Sequence, residues 1–213
     1  MMIRFSVSFL CLTLAIGCSK TDDNAPFLKE GKMVFEDNFD RTELGDNWLN
    51  TGGDYRIVDG MLRIEGAKNK PLWLKKKLPT DARISFTARS ESDAVDIKAE
   101  IFGDGESKAI KASYTATSYV VILGGWNNRR SIIARMNEHG DDRQVREDPR
   151  GVPGKTYRFD IVRKGNLFSW YLDSERFLEM NDAAPLKGPG HEHFAFNNWA
   201  SEVFFDDLAV LAL

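Results

Sequence analysis

The chain of 213 residues holds only two cysteines, Cys11 and Cys18, so no disulfide can form beyond residue 18 within the chain. No apolar run has the length of a membrane span: residues 5–16 amount to about a dozen, against the ~20 a helix needs to cross a bilayer. Charge of either sign is not in excess, with a net of -3, so nothing points to a nucleic-acid partner. Histidine is scarce, at three residues. There is no long amphipathic helical pattern, no Gly-x-Ser-x-Gly elbow, no phosphate loop and no dinucleotide fingerprint.

The first segment has one charge, Arg4, then the apolar run, then Gly17 and Cys18. That pattern predicts a signal peptide over residues 1–17. Leu14-Ala15-Ile16-Gly17-Cys18 resembles the bacterial lipobox, which implies lipidation of Cys18. After cleavage Cys18 is the sole thiol, and lipidation accounts for it. Several acyl chains anchor stably because each buried methylene contributes roughly 0.8 kcal/mol. Ser19-Lys20 in place of an Asp after the Cys implies, by the same resemblance, an outer-membrane lipoprotein in the cell envelope. Residues 18–31 are polar, carry Pro26 and predict a flexible tether. The membrane is then a partner through the anchor alone. Residues 32–213 form one domain of about 180 residues, enough to bury roughly 70% of the surface its unfolded chain exposes.

Within that domain, short stretches of period-two hydrophobicity recur between Gly, Asp, Asn and Pro, which predicts an all-β fold. Asp59-Gly60 between residues 55–58 and 61–64 predicts a hairpin with positive φ at its turn. In residues 82–89, Ile84, Phe86 and Ala88 alternate with polar residues, so one face is core. Further strands are expected at 96–102, 119–123, 131–136, 157–162, 167–172, 191–197 and 203–211. Trp170 reads as core, and Trp48 and Trp73 as core or edge cover. So many strands suit a two-sheet antiparallel jelly-roll sandwich with its first and last strands side by side.

Three groups of residues carry a resemblance: Phe35-Glu36-Asp37-Asn38-Phe39-Asp40-Arg41 with Trp48, the Asp59-Gly60-Met61-Leu62 hairpin, and residues 203–210. They resemble the start and finish of concanavalin A-like lectin/glucanase domains, including laminin-G-like modules and domains related to 3-keto-disaccharide hydrolases. The resemblance implies the fold far more firmly than any activity. It also implies a structural calcium ion pinning the first strand to the last, with Asp37, Asp40, Asp206 and Asp207 as oxygen ligands.

Two stretches have the chemistry of sugar recognition, in which an aromatic face stacks on a pyranose and amides, carboxylates and guanidiniums bond its hydroxyls. Residues 124–143 supply Trp126, Asn127, Asn128, Arg135, Glu138, His139 and Arg143. Residues 191–199 supply His193, Asn197 and Trp199. Strand parity sets Phe194 and Phe196 on one side, with His191, His193 and Asn197 on the other. The competing reading makes 124–128 a turn with a packed Trp, and Arg135 part of a structural ion-pair network. His139, His191 and His193 are also candidate zinc ligands.

Retaining glucanases of this fold carry Glu-x-Asp-x-x-Glu on a strand. The nearest stretch here, Asp96-Ile97-Lys98-Ala99-Glu100, lacks the first Glu and sets Asp96, Lys98 and Glu100 on one face. Three functions remain open: a non-catalytic carbohydrate-binding domain whose partner is a glycan; a glycan-active hydrolase or lyase using Glu138, His139 or Asp142; and an envelope domain contacting other proteins. The last requires Trp126 and Trp199 to be buried.

Overall fold

The computed structural model describes residues 30–111 and 114–213. The expected signal peptide, lipidated Cys18 and nearly all of the tether lie outside the described residues. Fifteen strands follow in order: β1 (Lys32–Asp37), β2 (Trp48–Asn50), β3 (Tyr55–Val58), β4 (Met61–Glu65), β5 (Leu72–Leu74), β6 (Ala82–Ser90), β7 (Ile97–Gly103), β8 (Tyr119–Gly124), β9 (Arg130–Arg135), β10 (Gln144–Arg146), β11 (Thr156–Lys164), β12 (Leu167–Leu172), β13 (Glu175–Asn181), β14 (His193–Asn197) and β15 (Glu202–Ala212).

They build two antiparallel sheets. One runs β13-β12-β11-β6-β15-β4-β3, with β1 also on β15; the other runs β10-β9-β8-β7-β14-β5-β2. Strand β15 is the seam of the first sheet. Its beginning pairs with β4 and its end with β1, so the first and last strands do lie side by side. A bulge between Asp206 and Ala209, with Asp207 at φ 51°, separates the two halves. The Asp59-Gly60 turn joins β3 to β4 with φ of 51° and 74° at its two residues.

The core lies between the sheets because alternate residues of facing strands meet there. Phe86 on β6 stacks on Phe159 at 4.7 Å between ring centres. It also meets Phe196 at 5.3 Å and Phe205 at 6.0 Å. Phe194 and Phe196 are wholly buried, on the parity expected. Trp170 and Trp48 belong to the same core or its edge. Trp73 is buried apart from it: its indole N–H donates to the Ser107 carbonyl at 2.9 Å. The ring lies over Gly103, where a Cβ would come within 2.4 Å of it, so that position admits only glycine without a shift.

Beside β1, the Asp37 carboxylate is filled by protein donors: the Arg41 guanidinium on both oxygens, Trp48 Nε1 at 2.9 Å and the Phe39 amide at 3.0 Å. Burial alone would raise its pKa, but these donors outweigh burial and hold it below the ordinary carboxylate value. Asp40 takes the Asn38 side-chain amide at 2.7 Å, and Asp206 takes the Asp207 amide. Asp206 nonetheless lies near the other three acids: burial and the like charges of Asp207, Asp40 and Asp37 raise its pKa. His191 and His193 are spent on the Thr117 and Leu74 carbonyls. Among the described residues, no group of three or more His, Cys, Asp or Glu is arranged to hold a metal ion.

Phe86 touches four other phenylalanines, two on its own sheet and two on the facing one. Phe86→Ala is expected to cost roughly 3–5 kcal/mol, read as a lowered urea midpoint at unchanged slope.

Candidate functional site

Strand β7 lies between β8 and β14, inside the second sheet. Its inward residues Ile97, Ala99 and Ile101 join the core, which turns Lys98 and Glu100 to the opposite face; Asp96 comes just before the strand, at φ 50°. Three charges so close together are tolerated there only with partners. Lys98, 2% exposed, donates to Asn69 Oδ1 at 2.6 Å and forms a short ion pair with Glu138. Glu100, wholly buried, accepts from Tyr114 OH at 2.8 Å, Ser118 Oγ at 2.8 Å and Asn197 Nδ2 at 2.7 Å. Burial nonetheless raises its pKa above the ordinary value. Burial likewise pushes the pKa of Asp96 up to about 6, against the opposing pull of Lys98. Asp96 accepts the backbone N–H of Trp199 at 2.6 Å and so holds the loop between β14 and β15.

Asn69, Asp96, Lys98 and Glu138 floor a cleft of about 560 Å³, within the size range of small-ligand sites, about 300–1,000 Å³. Its walls bring together both stretches singled out above. Trp126, Asn127, Glu138 and His139 come from one side and Trp199 from the other. Trp126 sits on an unusual turn. Trp126, Asn127 and Asn128 follow β8 with φ of 54°, 57° and 57°, three successive left-handed residues of which none is glycine. Gly124, at φ 71°, starts the turn; a Cβ there would fall 2.7 Å from both Asn128 Oδ1 and the Val95 side chain. Asn128 then clamps the turn to the 147–151 loop, donating to the Gly151 carbonyl at 2.7 Å and accepting its N–H at 2.9 Å. The His139 ring meets Trp126 edge-on at 5.6 Å, and the Arg143 guanidinium lies 5.9 Å from the centre of the Trp126 ring.

The other expected residues are elsewhere. Arg135 is spent on Asp182 at 3.0 Å and the Ala184 carbonyl, the structural pairing that was the competing reading. His193 packs against Gly105, away from the cleft. Asn197 is buried beneath the floor, positioning Glu100. Asp142 is exposed and lines no part of the cleft, and Asn128 is a clamp. Asn69, Asp96, Lys98 and Tyr114 line the cleft but were not singled out as its residues. One signal marked three charged residues here: Asp96, Lys98 and Glu100 alternate with apolar residues, and inside the sheet, where Lys98 and Glu100 stand, free charge is not tolerated.

No family model matches the sequence, and no curated protein matches it significantly. Solved structures do match its fold. One is an endo-acting O-glycanase study structure from the human gut microbiota, concerned with the initiation of mucin breakdown (13% identity, 85% of this chain, 100% of that one, TM-score 0.62). A laminarinase from Flavobacterium sp. UMI-01 aligns with 12% identity over 85% and 100% of the two chains, at a TM-score of 0.60. Carbohydrate-binding module CBM66 from Bacillus subtilis does so with 12% identity over 80% and 98%, at 0.58.

The fold is that of concanavalin A-like lectins and glucanases. At such identities the likeness reaches no further than the sandwich, and in this concanavalin A-like sandwich the cleft must be read from its own residues.

Those residues offer two aromatic rings, one half-buried and one 47% exposed, above a floor of acids, an ammonium and amides. The floor depends on the Lys98–Glu138 pair. Glu138→Ala is expected to destabilise the domain by roughly 3–5 kcal/mol, because it strands a buried ammonium. Lys98→Met combined with Glu138→Ala should recover much of that loss; a double variant no more stable than Glu138→Ala in urea melts would refute the coupling.

Proposed function

We propose that this domain binds carbohydrate, as an envelope protein tethered through lipidated Cys18 to the outer membrane. The observation that carries the binding reading is the exposure of Trp199, at 47%, across the cleft from Trp126. An indole held in water on a fixed loop is a stacking surface for the apolar face of a sugar ring. The polar floor between the rings, with Asn69, Lys98, Glu138 and Asn127, supplies donors and acceptors for hydroxyls. Two of the structural neighbours are carbohydrate-binding by name, CBM66 and the Emp47p carbohydrate recognition domain, which is in keeping with the reading. A protein-contact role based on buried Trp126 and Trp199 is disfavoured by the same exposure.

The test is affinity electrophoresis of the full-length protein in detergent against a panel of soluble polysaccharides. Trp199→Ala is expected to weaken retention at least about tenfold while leaving the melting temperature unchanged. Retention that is indifferent to both Trp126→Ala and Trp199→Ala would sink the proposal.

Asp96 favours a second reading, a glycan-active hydrolase. A carboxyl still largely protonated below about pH 6 can give its proton to a glycosidic oxygen. Glu138, paired with Lys98, can take a proton from the water that attacks the anomeric carbon. This reading expects reducing sugar to be released from a bound glycan, with the rate falling as pH rises through about 6, and Asp96→Asn to retain binding and lose release. Binding without release by the wild type at any pH from 4 to 8 would leave the module reading alone.

A further inference from the structure

Trp126 stands between two clefts. Beyond the one already described, a second of about 280 Å³ is lined by Trp126, Arg129, Arg130, Arg150, Glu147 and Asp148. Three guanidiniums against two carboxylates leave it net positive, in a chain whose net charge is -3. The guanidiniums are not consumed by neighbours. Arg129 spends Nε on the Trp126 carbonyl at 2.9 Å, and its two terminal nitrogens meet no acceptor among the described residues. Arg150 has no ion pair among the described residues. Arg130 reaches Glu147 only at 3.6 Å, with side-chain exposures of 43% and 70%. The cluster is also held in place. Arg129 follows the left-handed turn directly, and the Asn128 clamp fixes Gly151, the residue after Arg150.

We propose that this second cleft is an anion subsite, and that the glycan taken by the domain is acidic. Its sugar ring lies on Trp126, and a sulfate or carboxylate substituent enters the fork of Arg129, Arg130 and Arg150. This rests on the carbohydrate-binding reading and narrows it. The chemistry follows from the fork: planar guanidiniums with unspent N–H groups pair in bidentate fashion with the oxygens of a sulfate or carboxylate, which a neutral hydroxyl cannot match. The first cleft, where Asp96 and Glu138 flank Lys98, has no comparable surplus of unspent cations, so the anionic substituent is directed to the second.

The experiment compares the full-length protein in detergent on dextran, dextran sulfate and polygalacturonate, by affinity electrophoresis at low and at 0.15 M salt. Dextran sulfate, polygalacturonate or both are expected to bind at least about tenfold more tightly than dextran, and the preference to narrow as salt screens it. Which of the two polyanions is preferred separates a sulfate from a carboxylate ligand. In Arg129→Ala/Arg150→Ala the preference should vanish while binding to dextran remains. The charge-matched control Arg56→Ala/Arg176→Ala, at exposed arginines outside the cleft, should keep it. Equal binding of neutral and anionic polymers, or a preference that survives Arg129→Ala/Arg150→Ala, overturns the anion subsite and leaves the glycan reading standing. Failure of all three polymers to bind overturns both.

Discussion

An ammonium group almost sealed from water is the constraint around which the candidate site is built. Lys98 is turned away from the core by the alternation of β7, onto a face that the chain itself covers. A buried charge left alone would cost several kcal/mol, so the surroundings must answer it. Glu138 comes from the loop after β9 and Asn69 from the segment before β5. Asn197, which positions Glu100, also donates to Asn69 at 3.4 Å. One cation thus draws three distant parts of the chain to a single point, and the cleft is the space left above it.

The sandwich supports this in a different way. Its cohesion comes from apolar residues on the inner parity of facing strands, with the Phe86 cluster at the centre. That cluster asks only for ring volume and alternation. On β7 the outer parity carries Lys98 and Glu100, while on the neighbouring β8 and β9 it carries a small second apolar cluster of Val120, Ile122, Ile132 and Ala134 against which Trp126 packs. Asp96 bridges the two sheets, because its carboxylate holds the loop that leads into β15, the seam of the other sheet.

Much of the architecture was legible in the sequence because period-two alternation is a local signal. It placed Ile84, Phe86 and Ala88 inward, it put Phe194 and Phe196 opposite Asn197, and the Asp59-Gly60 turn was readable from two residues. The site was legible in part. Trp126, Asn127, Glu138, His139 and Trp199 meet as composition suggested, since aromatic and polar residues crowded near turns tend to face solvent. Arg135, His193 and Asn197 have the polar character of ligand contacts but are taken by Asp182, the Leu74 carbonyl and Glu100. Such partners lie far along the chain, and no local pattern reveals them. Lys98 illustrates the reverse: the alternation showed its side, but its partners Asn69 and Glu138 are both distant in sequence.

The left-handed turn at residues 126–128 has a consequence for recognition. Each non-glycine residue there holds a conformation that costs of order 1–3 kcal/mol and persists only where the surroundings over-determine it. The Asn128 clamp does so by locking the turn to a second loop. Trp126 is therefore presented on a backbone with little freedom left to lose, and the entropy of ordering that platform is spent when the chain folds, not when a ligand arrives. A change of ring at this one position would alter what lies on the platform without disturbing how it is held.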